Sequence, residues 1–302
     1  TISTGTLQVG AGSTIGIITG AITNNSALKF NRSDNITYSG LISGTGTLEK
    51  AGAGVLTLSN GSNSYSGATT ISAGTISISA DTNLGTAPSS ATASQLILAN
   101  GTLITTADLT LATYRGITLS TGGGTFDTGA YTLTYGGIID GSAALTKKGT
   151  GTLALSGTNT YTGATNINYG IIRISNTNAL GGTGAGTVVA TGAALELYNA
   201  YGGISFIAEP LTLNGVGTST SGALRNIQGN NTFQGAITLG GTGVRINSDT
   251  TSNILTLSGG ISGTGYNITF GGTGDITVSG NITTGSNATV TKDGGGTLIL
   301  SG

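Results

Sequence analysis

The sequence predicts an all-β protein folded as a parallel β-solenoid, in which short strands stack coil upon coil. Three observations predict this fold class. A module returns along the 302 residues, apolar and small polar residues alternate with period two, and glycine-rich turns separate the short strands. Helix signals are nearly absent, so the strand pattern has no competing interpretation.

The repeated module is the strongest of these signals. It occupies 40–79, returns at 137–175, and returns again, cut short, at 280–302. Equivalent places are held by apolar residues, namely Leu48, Leu145 and Val290, and then Leu56, Leu153 and Leu298. A β-sandwich or a barrel does not require near-copies in register, whereas a solenoid does, because each coil buries its inward side chains against the next. At roughly 20 to 25 residues per coil, the chain makes about 13 coils.

Taken in order, residues 1–39 begin part-way through a repeat and include a strand at 27–31. Residues 80–136 form a looser run of strands, in which 86–93 is a surface loop, and 176–279 is the most divergent stretch. The cleanest cases of period two are the strands predicted at 56–59, 76–79, 153–156 and 298–301. Within the looser run 80–136, the clearest strands are predicted at 94–98 and 102–105. No shift in composition marks a boundary, which predicts a single continuous β-solenoid over 1–302.

Composition excludes several classes of function. The chain has no His and no Cys, which excludes Ser-His-Asp and Cys-His catalysis, disulfides, and metal sites built on these residues. Charged residues make up 7 % and the net charge is -1, so we expect no nucleic-acid partner. The 11 acidic residues are scattered, and we predict no catalytic, cofactor-binding or metal-binding residues. No apolar run is long enough to span a membrane. No leader follows Thr1, and we expect a processed or excised segment.

The modules resemble the passenger-associated transport repeat, also called the autotransporter-associated β-strand repeat. The first copy carries Gly44, Gly46, Leu48, Lys50, Gly52, Gly54, Leu56, Leu58, Tyr65, Gly67, Thr69, Ile71 and Gly74. The second carries Leu145, Lys147, Gly149, Gly151, Leu153, Leu155, Ser156, Gly157, Asn159, Tyr161, Gly163, Thr165, Ile167 and Gly170, and the third carries Lys292, Gly294, Gly296, Leu298, Leu300, Ser301 and Gly302. The first copy departs from the family pattern at Val55 and Asn60.

This resemblance implies a right-handed parallel β-helix that is part of a large bacterial surface or secreted protein. The export signal and the outer-membrane anchor of such proteins lie elsewhere in the parent chain. The expected location is therefore extracellular or at the bacterial cell surface.

Two sets of residues within the modules invite a functional interpretation. Lys50, Lys147 and Lys292 share one frame position, and we interpret them as solvated outer residues rather than as a cationic row. Tyr65 and Tyr161 share another, and we interpret them as corner packing rather than as platforms for glycans.

Two glycine-rich runs resemble ligand loops. Gly271 to Asp275 has one feature of a calcium-binding repeat but lacks its acidic spacing, and Gly182 to Gly186 lacks the Lys-Ser/Thr of a phosphate loop. We predict a plain turn at each.

The function predicted from the sequence is that of a non-catalytic structural rod of a bacterial surface fibre or autotransporter passenger. Its expected partners are copies of itself or flanking parts of the same chain, end to end. One alternative is an adhesin for glycans or host surfaces, with Tyr198 and Tyr201 as the best candidate residues. Another is a carbohydrate-active β-helix enzyme, because stacked coils can bring distant carboxylates together. No cofactor is expected.

Overall fold

The structure, a computed structural model, describes all residues 1–302. It confirms the predicted fold class, since the chain is all-β and its parallel strands stack as a β-solenoid of about 13 turns. The chain divides into two compact units, Thr1–Thr146 and Lys147–Gly302, which are described in turn. One continuous solenoid over 1–302 stays a prediction.

The first unit consists of sixteen short strands and one 3-10 turn at Asp81–Leu84. The strands are Thr6–Ser13 (β1), Ile22–Thr23 (β2), Ala27–Arg32 (β3), Ile36–Tyr38 (β4), Ile42–Ser43 (β5), Thr47–Lys50 (β6), Val55–Leu58 (β7), Thr69–Ile71 (β8), Thr75–Ile78 (β9), Thr92–Leu98 (β10), Gly101–Thr105 (β11), Leu109–Leu111 (β12), Arg115–Leu119 (β13), Gly124–Asp127 (β14), Thr132–Tyr135 (β15) and Ile139–Gly141 (β16).

Within this unit each strand bonds only to strands one coil before or one coil after it. One sheet has the order β1-β3-β6-β8-β10-β13-β16 and a second contains β4-β7-β9-β11-β14, while β2 pairs with β5 and β12 pairs with β15. All of these pairs are parallel. The backbone hydrogen bonds therefore run from coil to coil rather than across a hairpin.

The second unit has the same construction. Its strands follow Leu145–Lys148 (β17), which crosses the unit boundary, and are Thr152–Leu155 (β18), Thr165–Ile167 (β19), Gly170–Ile174 (β20), Thr187–Val189 (β21), Ala193–Tyr198 (β22), Ser205–Phe206 (β23), Leu211–Leu213 (β24), Leu224–Gln228 (β25), Asn231–Phe233 (β26), Ile237–Leu239 (β27), Val244–Ser248 (β28), Ile254–Leu257 (β29), Ile261–Ser262 (β30), Ile268–Gly271 (β31), Asp275–Val278 (β32), Ile282–Thr283 (β33), Val290–Lys292 (β34) and Leu298–Leu300 (β35).

Three parallel sheets run through this second unit. Their orders are β18-β20-β22-β25-β28-β31-β34, then β19-β21-β24-β27-β30-β33, and then β23-β26-β29-β32-β35. A short turn at Thr218–Thr220 is its only helical segment.

The core consists of inward columns of aliphatic side chains. Leu56 and Leu58 are buried while Thr57 and Ser59 face outward, as period two requires. Along one column Leu56 pairs with Ile36 before it and Ile76 after it. Each fully buried Leu or Ile contributes roughly 1.5–3 kcal/mol relative to exposure.

Glycine is required at one corner of the module. Gly74 has φ +67° and Gly170, at the equivalent place, has φ +66°, in the left-handed region. A Cβ at either position would strike a carbonyl oxygen of the preceding coil, that of Gly52 or Gly149 respectively. The repeat therefore places glycine where both backbone conformation and close approach exclude other residues.

The other predicted elements are largely confirmed. The strand predicted at 27–31 is β3, and the surface loop predicted at 86–93 is exposed through residue 91 before β10 begins at Thr92. In the truncated third module Leu300 is exposed, unlike its equivalents Leu58 and Leu155. No helix in the structure has the length and apolar character to cross a membrane.

Candidate functional site

The repeat tyrosines hold the corners of their coils together. Tyr65 and Tyr161 are fully buried, and their hydroxyls bond to Thr69 Oγ1 at 2.8 Å and to Thr165 Oγ1 at 2.6 Å. Burial raises the pKa of Tyr65 to about 12. Corner packing is thus the correct interpretation, and neither ring is available to stack on a glycan.

The repeat lysines correct the prediction of solvated outer residues. Lys50 is only 1 % exposed and stands in an inward column between Phe30 and Ile71. Its ammonium donates to the carbonyls of Gly52 at 2.6 Å, Ala51 at 3.2 Å and Ala73 at 3.4 Å. Desolvation by burial lowers the pKa of Lys50 to about 8.

Lys147 repeats the arrangement in the second unit. It is 0 % exposed, and it donates to the carbonyls of Lys148 at 2.7 Å, Gly149 at 2.8 Å and Tyr169 at 3.4 Å. Lys292 donates to the carbonyls of Asp293 and Gly294 from a half-buried position. The prediction was wrong because it rested on the charge of the side chain, whereas the period-two pattern places Lys50 on the same side of its strand as Leu48. The turn carbonyls provide the buried ammonium with partners.

Buried asparagines also recur in the modules, and they make contacts from coil to coil. Asn63 Oδ1 accepts from the Ile42 amide at 2.9 Å, and its Nδ2 donates to the Asn83 carbonyl at 3.0 Å. Asn159 Nδ2 donates to the Ala179 carbonyl at 2.6 Å. The Asn-x-Tyr spacing was the signal in the sequence, but it did not indicate that the amide joins successive coils.

The candidate aromatic residues of the divergent stretch are accessible. Tyr198, the last residue of β22, is 37 % exposed, and Tyr201, on the turn that follows, is 97 % exposed. Asn199 Oδ1 accepts the Tyr201 amide at 3.0 Å and shapes this turn. Tyr169 is also exposed, but Gly170 pairs with Ala193 at the opposite end of β22, so Tyr169 does not extend the pair into a wide strip.

Carboxylates that are distant in sequence do come together, but around arginines. Glu196, only 2 % exposed, bonds to Arg173 at 2.8 Å and to Arg225 at 2.6 Å, and Arg225 also holds Asp249 at 2.6 Å. We call these four residues the charge ladder. No group of three His, Cys, Asp or Glu side chains is placed to hold a metal ion. The ladder is arranged to join coils rather than to present a free pair of carboxylates.

A buried ion pair in the first unit also escaped the sequence analysis. Arg115 is fully buried and donates to both carboxylate oxygens of Asp81, at 3.0 and 3.1 Å, and to the carbonyls of Leu84 and Gly85. Asp81 lies 34 residues earlier, at the 3-10 turn, so no local motif could reveal the pairing.

Glu209 is an acid buried in the second unit. It accepts a hydrogen bond from Thr187 Oγ1 at 2.9 Å, while its Oε2 has no partner. Burial raises the pKa of this carboxyl.

A cavity of about 370 Å³ opens on the first unit where β10, β13 and β16 begin. Its wall includes Tyr114 and Ile138, which are 50 % and 49 % exposed, and the carboxylate of Asp140. The Oδ1 atom of Asp140 is buried and accepts no hydrogen bond. Nothing in the sequence singled out these residues, because stacking of three coils brings them together.

The two glycine-rich runs are turns, as predicted. Residues 272–274 join β31 to β32, and 182–186 lie in the connection before β21.

Parallel coils held by inward lysine, asparagine and tyrosine contacts at repeated positions define the class of protein, a β-solenoid repeat protein. Three stretches match the passenger-associated-transport-repeat family, at residues 48–78, 145–174 and 290–302. The chain is therefore a passenger-associated transport repeat protein.

Among curated proteins, the chain is similar to the adhesin BmaC autotransporter of Brucella suis biovar 1 (strain 1330). The two are 34 % identical over 235 residues, a match that covers 76 % of this chain and 6 % of the relative. This chain thus spans only a small part of the length of that relative. No solved structure matches this chain.

Proposed function

We propose that this chain is a non-catalytic structural segment of an autotransporter passenger, displayed at a bacterial surface or released from it. The observation that carries the proposal is the coil-to-coil bonding within each unit. Main-chain ladders, buried asparagines and ion pairs join one coil to the next, and the buried Lys50 reaches the next coil at the Ala73 carbonyl. This bonding suits a passive load-bearing element, since each coil is fixed by two neighbours.

The charges support a structural role. Acidic side chains in both units are engaged by arginine or lysine, including the buried Glu196 and the pair of Asp81 with Arg115. The relative at 34 % identity is an autotransporter, which supports export to the surface.

Surface display is tested on cells that produce the parent protein. Antibody raised against residues 1–302 should label intact cells, and external protease should remove the label. Permeabilised cells provide the control for total protein. Label that appears only after permeabilisation would overturn the proposal.

The absence of catalysis is tested separately. The purified chain, incubated with acidic and neutral polysaccharides, should release no new reducing ends and no unsaturated products. Sustained release that is abolished by a single carboxylate substitution would show an enzyme instead.

A second candidate function is adhesion, which the exposed Tyr198 and Tyr201 favour. The relative's name describes an adhesin, which supports the same candidate. A glycan array probed with the wild-type chain and with Tyr201→Ala tests it. Binding that the variant loses supports adhesion through this turn, and no binding by the wild type counts against it.

The rod shape and the self-association expected from the sequence stay predictions. Small-angle scattering would measure the length of the particle, and sedimentation across a range of concentrations would detect assembly of copies. A compact monomer at all concentrations would contradict both.

A further inference from the structure

The cavity beside Asp140 has a specific structural origin in the first unit. Thr92 pairs with Arg115 and Leu96 pairs with Ile117, so three residues of β10 lie opposite the single Gly116 of β13. This bulge turns at Ser94, which has φ 56°. Bulges re-aim side chains and interrupt pairing, and they are common next to binding sites. Here the bulge leaves room over the starts of three successive strands.

Asp140 is half-buried, and no donor is found for one oxygen of its carboxylate. It takes part in no ion pair, and its Oδ1 is buried with no hydrogen bond. The neighbouring hydroxyls are already engaged, because Ser94 and Thr118 bond to each other at 2.9 Å. The adjacent Arg115 directs its guanidinium inward to Asp81. A buried carboxylate oxygen without a donor is costly, so its retention calls for an explanation.

The remaining wall is mostly apolar. Tyr114 and Ile138 each keep about half of their surface exposed, at 50 % and 49 %. Gly116 and Gly137 also line the cavity and have no side chain that could fill it. The hydroxyl of Thr92 donates to the Ser90 carbonyl at 3.0 Å, which leaves few polar groups for a ligand. A cavity of about 370 Å³ with an apolar lining and one placed charge has the size and chemistry of a small-molecule site.

These features discriminate between ligand classes. A sugar ring presents several hydroxyls, and a mostly apolar wall would leave some of them unpaired, so their desolvation would oppose binding. An organic ammonium needs one strong acceptor, which Oδ2 of Asp140 supplies because that oxygen is neither buried nor bonded. Its apolar stem needs the surfaces of Tyr114 and Ile138. A tyrosine face also attracts a cation.

We propose that this cavity is a binding site for an organic ammonium group carried on an apolar stem. The group can come from a free amine or from the side chain of a lysine, since the two share this chemistry. The inference goes beyond the structural role proposed above and does not depend on it.

The test is calorimetric titration of the intact 302-residue chain with 2-phenylethylammonium and, in a second arm, with N-acetyl-lysine methylamide. We expect saturable binding in at least one arm, and the stronger arm identifies the source. The neutral isostere 2-phenylethanol and a methyl glucoside should bind at least tenfold more weakly, because charge-assisted hydrogen bonds are about twice as strong as neutral ones.

Matched variants locate the site. Asp140→Asn keeps the shape and removes the charge, and it should weaken binding roughly tenfold or more, while Tyr114→Ala should weaken it several-fold. The control is Asp127→Asn, since Asp127 lies outside the cavity and accepts only the Gly129 amide at 2.9 Å, a bond that an amide oxygen can keep. The control should bind as the wild type does.

Stability supplies a second readout. Without ligand, Asp140→Asn should melt at the same temperature as the wild type or higher, because it removes an uncompensated charge. No saturable binding in either arm, equal binding of the neutral alcohol, or unchanged binding by Asp140→Asn would each overturn the proposal. A failure here leaves surface display untouched, and the antibody labelling above tests that independently.

Discussion

The second repeat module and the divergent stretch that follows it build the same kind of coil with different bonds. In the module at 145–174, Lys147, Asn159 and Tyr161 are buried and make local or backbone-directed contacts. From β20 onward the coils are joined by the charge ladder, in which Arg173, Glu196, Arg225 and Asp249 bond side chain to side chain.

The difference shows what a repeat motif records. A side chain that must reach the carbonyl of the next coil requires one residue type at one frame position, and it therefore leaves a visible motif. An ion pair across coils can be placed at any pair of stacked outward positions, so it leaves no local signal. The same solenoid thus carries strong and weak sequence signatures in successive coils.

The largest expected effect comes from the module. Tyr161→Ala removes a fully buried ring and should lower the free energy of unfolding by about 3–5 kcal/mol, and Tyr65→Ala should cost a similar amount in the first unit. Urea unfolding followed by circular dichroism measures both. Tyr161→Phe is the control, since it loses only the bond to Thr165 and should cost about 1 kcal/mol. A loss below that of the control would show that the corner repacks.

The charge ladder should give the next largest effect. Glu196→Gln leaves Arg173 and Arg225 without their buried anion and should cost about 2 kcal/mol, less than a fully buried pair because both arginines keep some exposure. Asp293→Asn is the matched control, since that carboxylate is 47 % exposed, and it should cost about 0.5 kcal/mol. Equal losses for the two variants would contradict the special role of Glu196.

The buried Lys50 predicts a pH dependence. Its pKa is about 8 in the folded chain and higher when unfolded, so the unfolded chain binds more protons between these values. The stability that Lys50 contributes is therefore present above its unfolded pKa and is lost as pH falls through about 8.

Urea midpoints measured from pH 7 to 9.5 should rise for the wild type, by on the order of 1 kcal/mol in unfolding free energy. Lys50→Met should show a smaller rise. A wild-type profile that is flat, or one that the variant reproduces, would show that Lys50 is more solvated than its burial indicates.

The smallest effect is expected at Glu209. Burial raises the pKa of this carboxyl, so the protonated form is favoured in the folded chain and stability is lost as pH rises above the unfolded value. Glu209→Gln should therefore gain about 1 kcal/mol at pH 7 and almost nothing at pH 4. A gain that is the same at both values would assign the effect to packing instead of charge.

The sequence predicted the fold class because period-two columns such as Leu56 and Leu58 have one physical solution once a module repeats. It also predicted corner packing for Tyr65, which recurs as Tyr161 in the second module. It placed Lys50 on the outside, since a cation on the core side of a strand is rare unless carbonyls meet it. The cavity beside Asp140 could not be predicted from the sequence, because three coils contribute to its lining and β10 carries a bulge at that point.

Each strand of either unit bonds only to the strands one coil away. Inserting or deleting a whole coil therefore changes the number of interfaces by one and alters only the contacts at the point of insertion or deletion. An insertion of a few residues inside a coil would instead shift its inward columns out of step, except at an outer loop such as 86–91, where no strand is displaced. Length in such a chain can change by duplication of coil-sized segments at little risk to the fold, and shorter insertions should accumulate only at its corners.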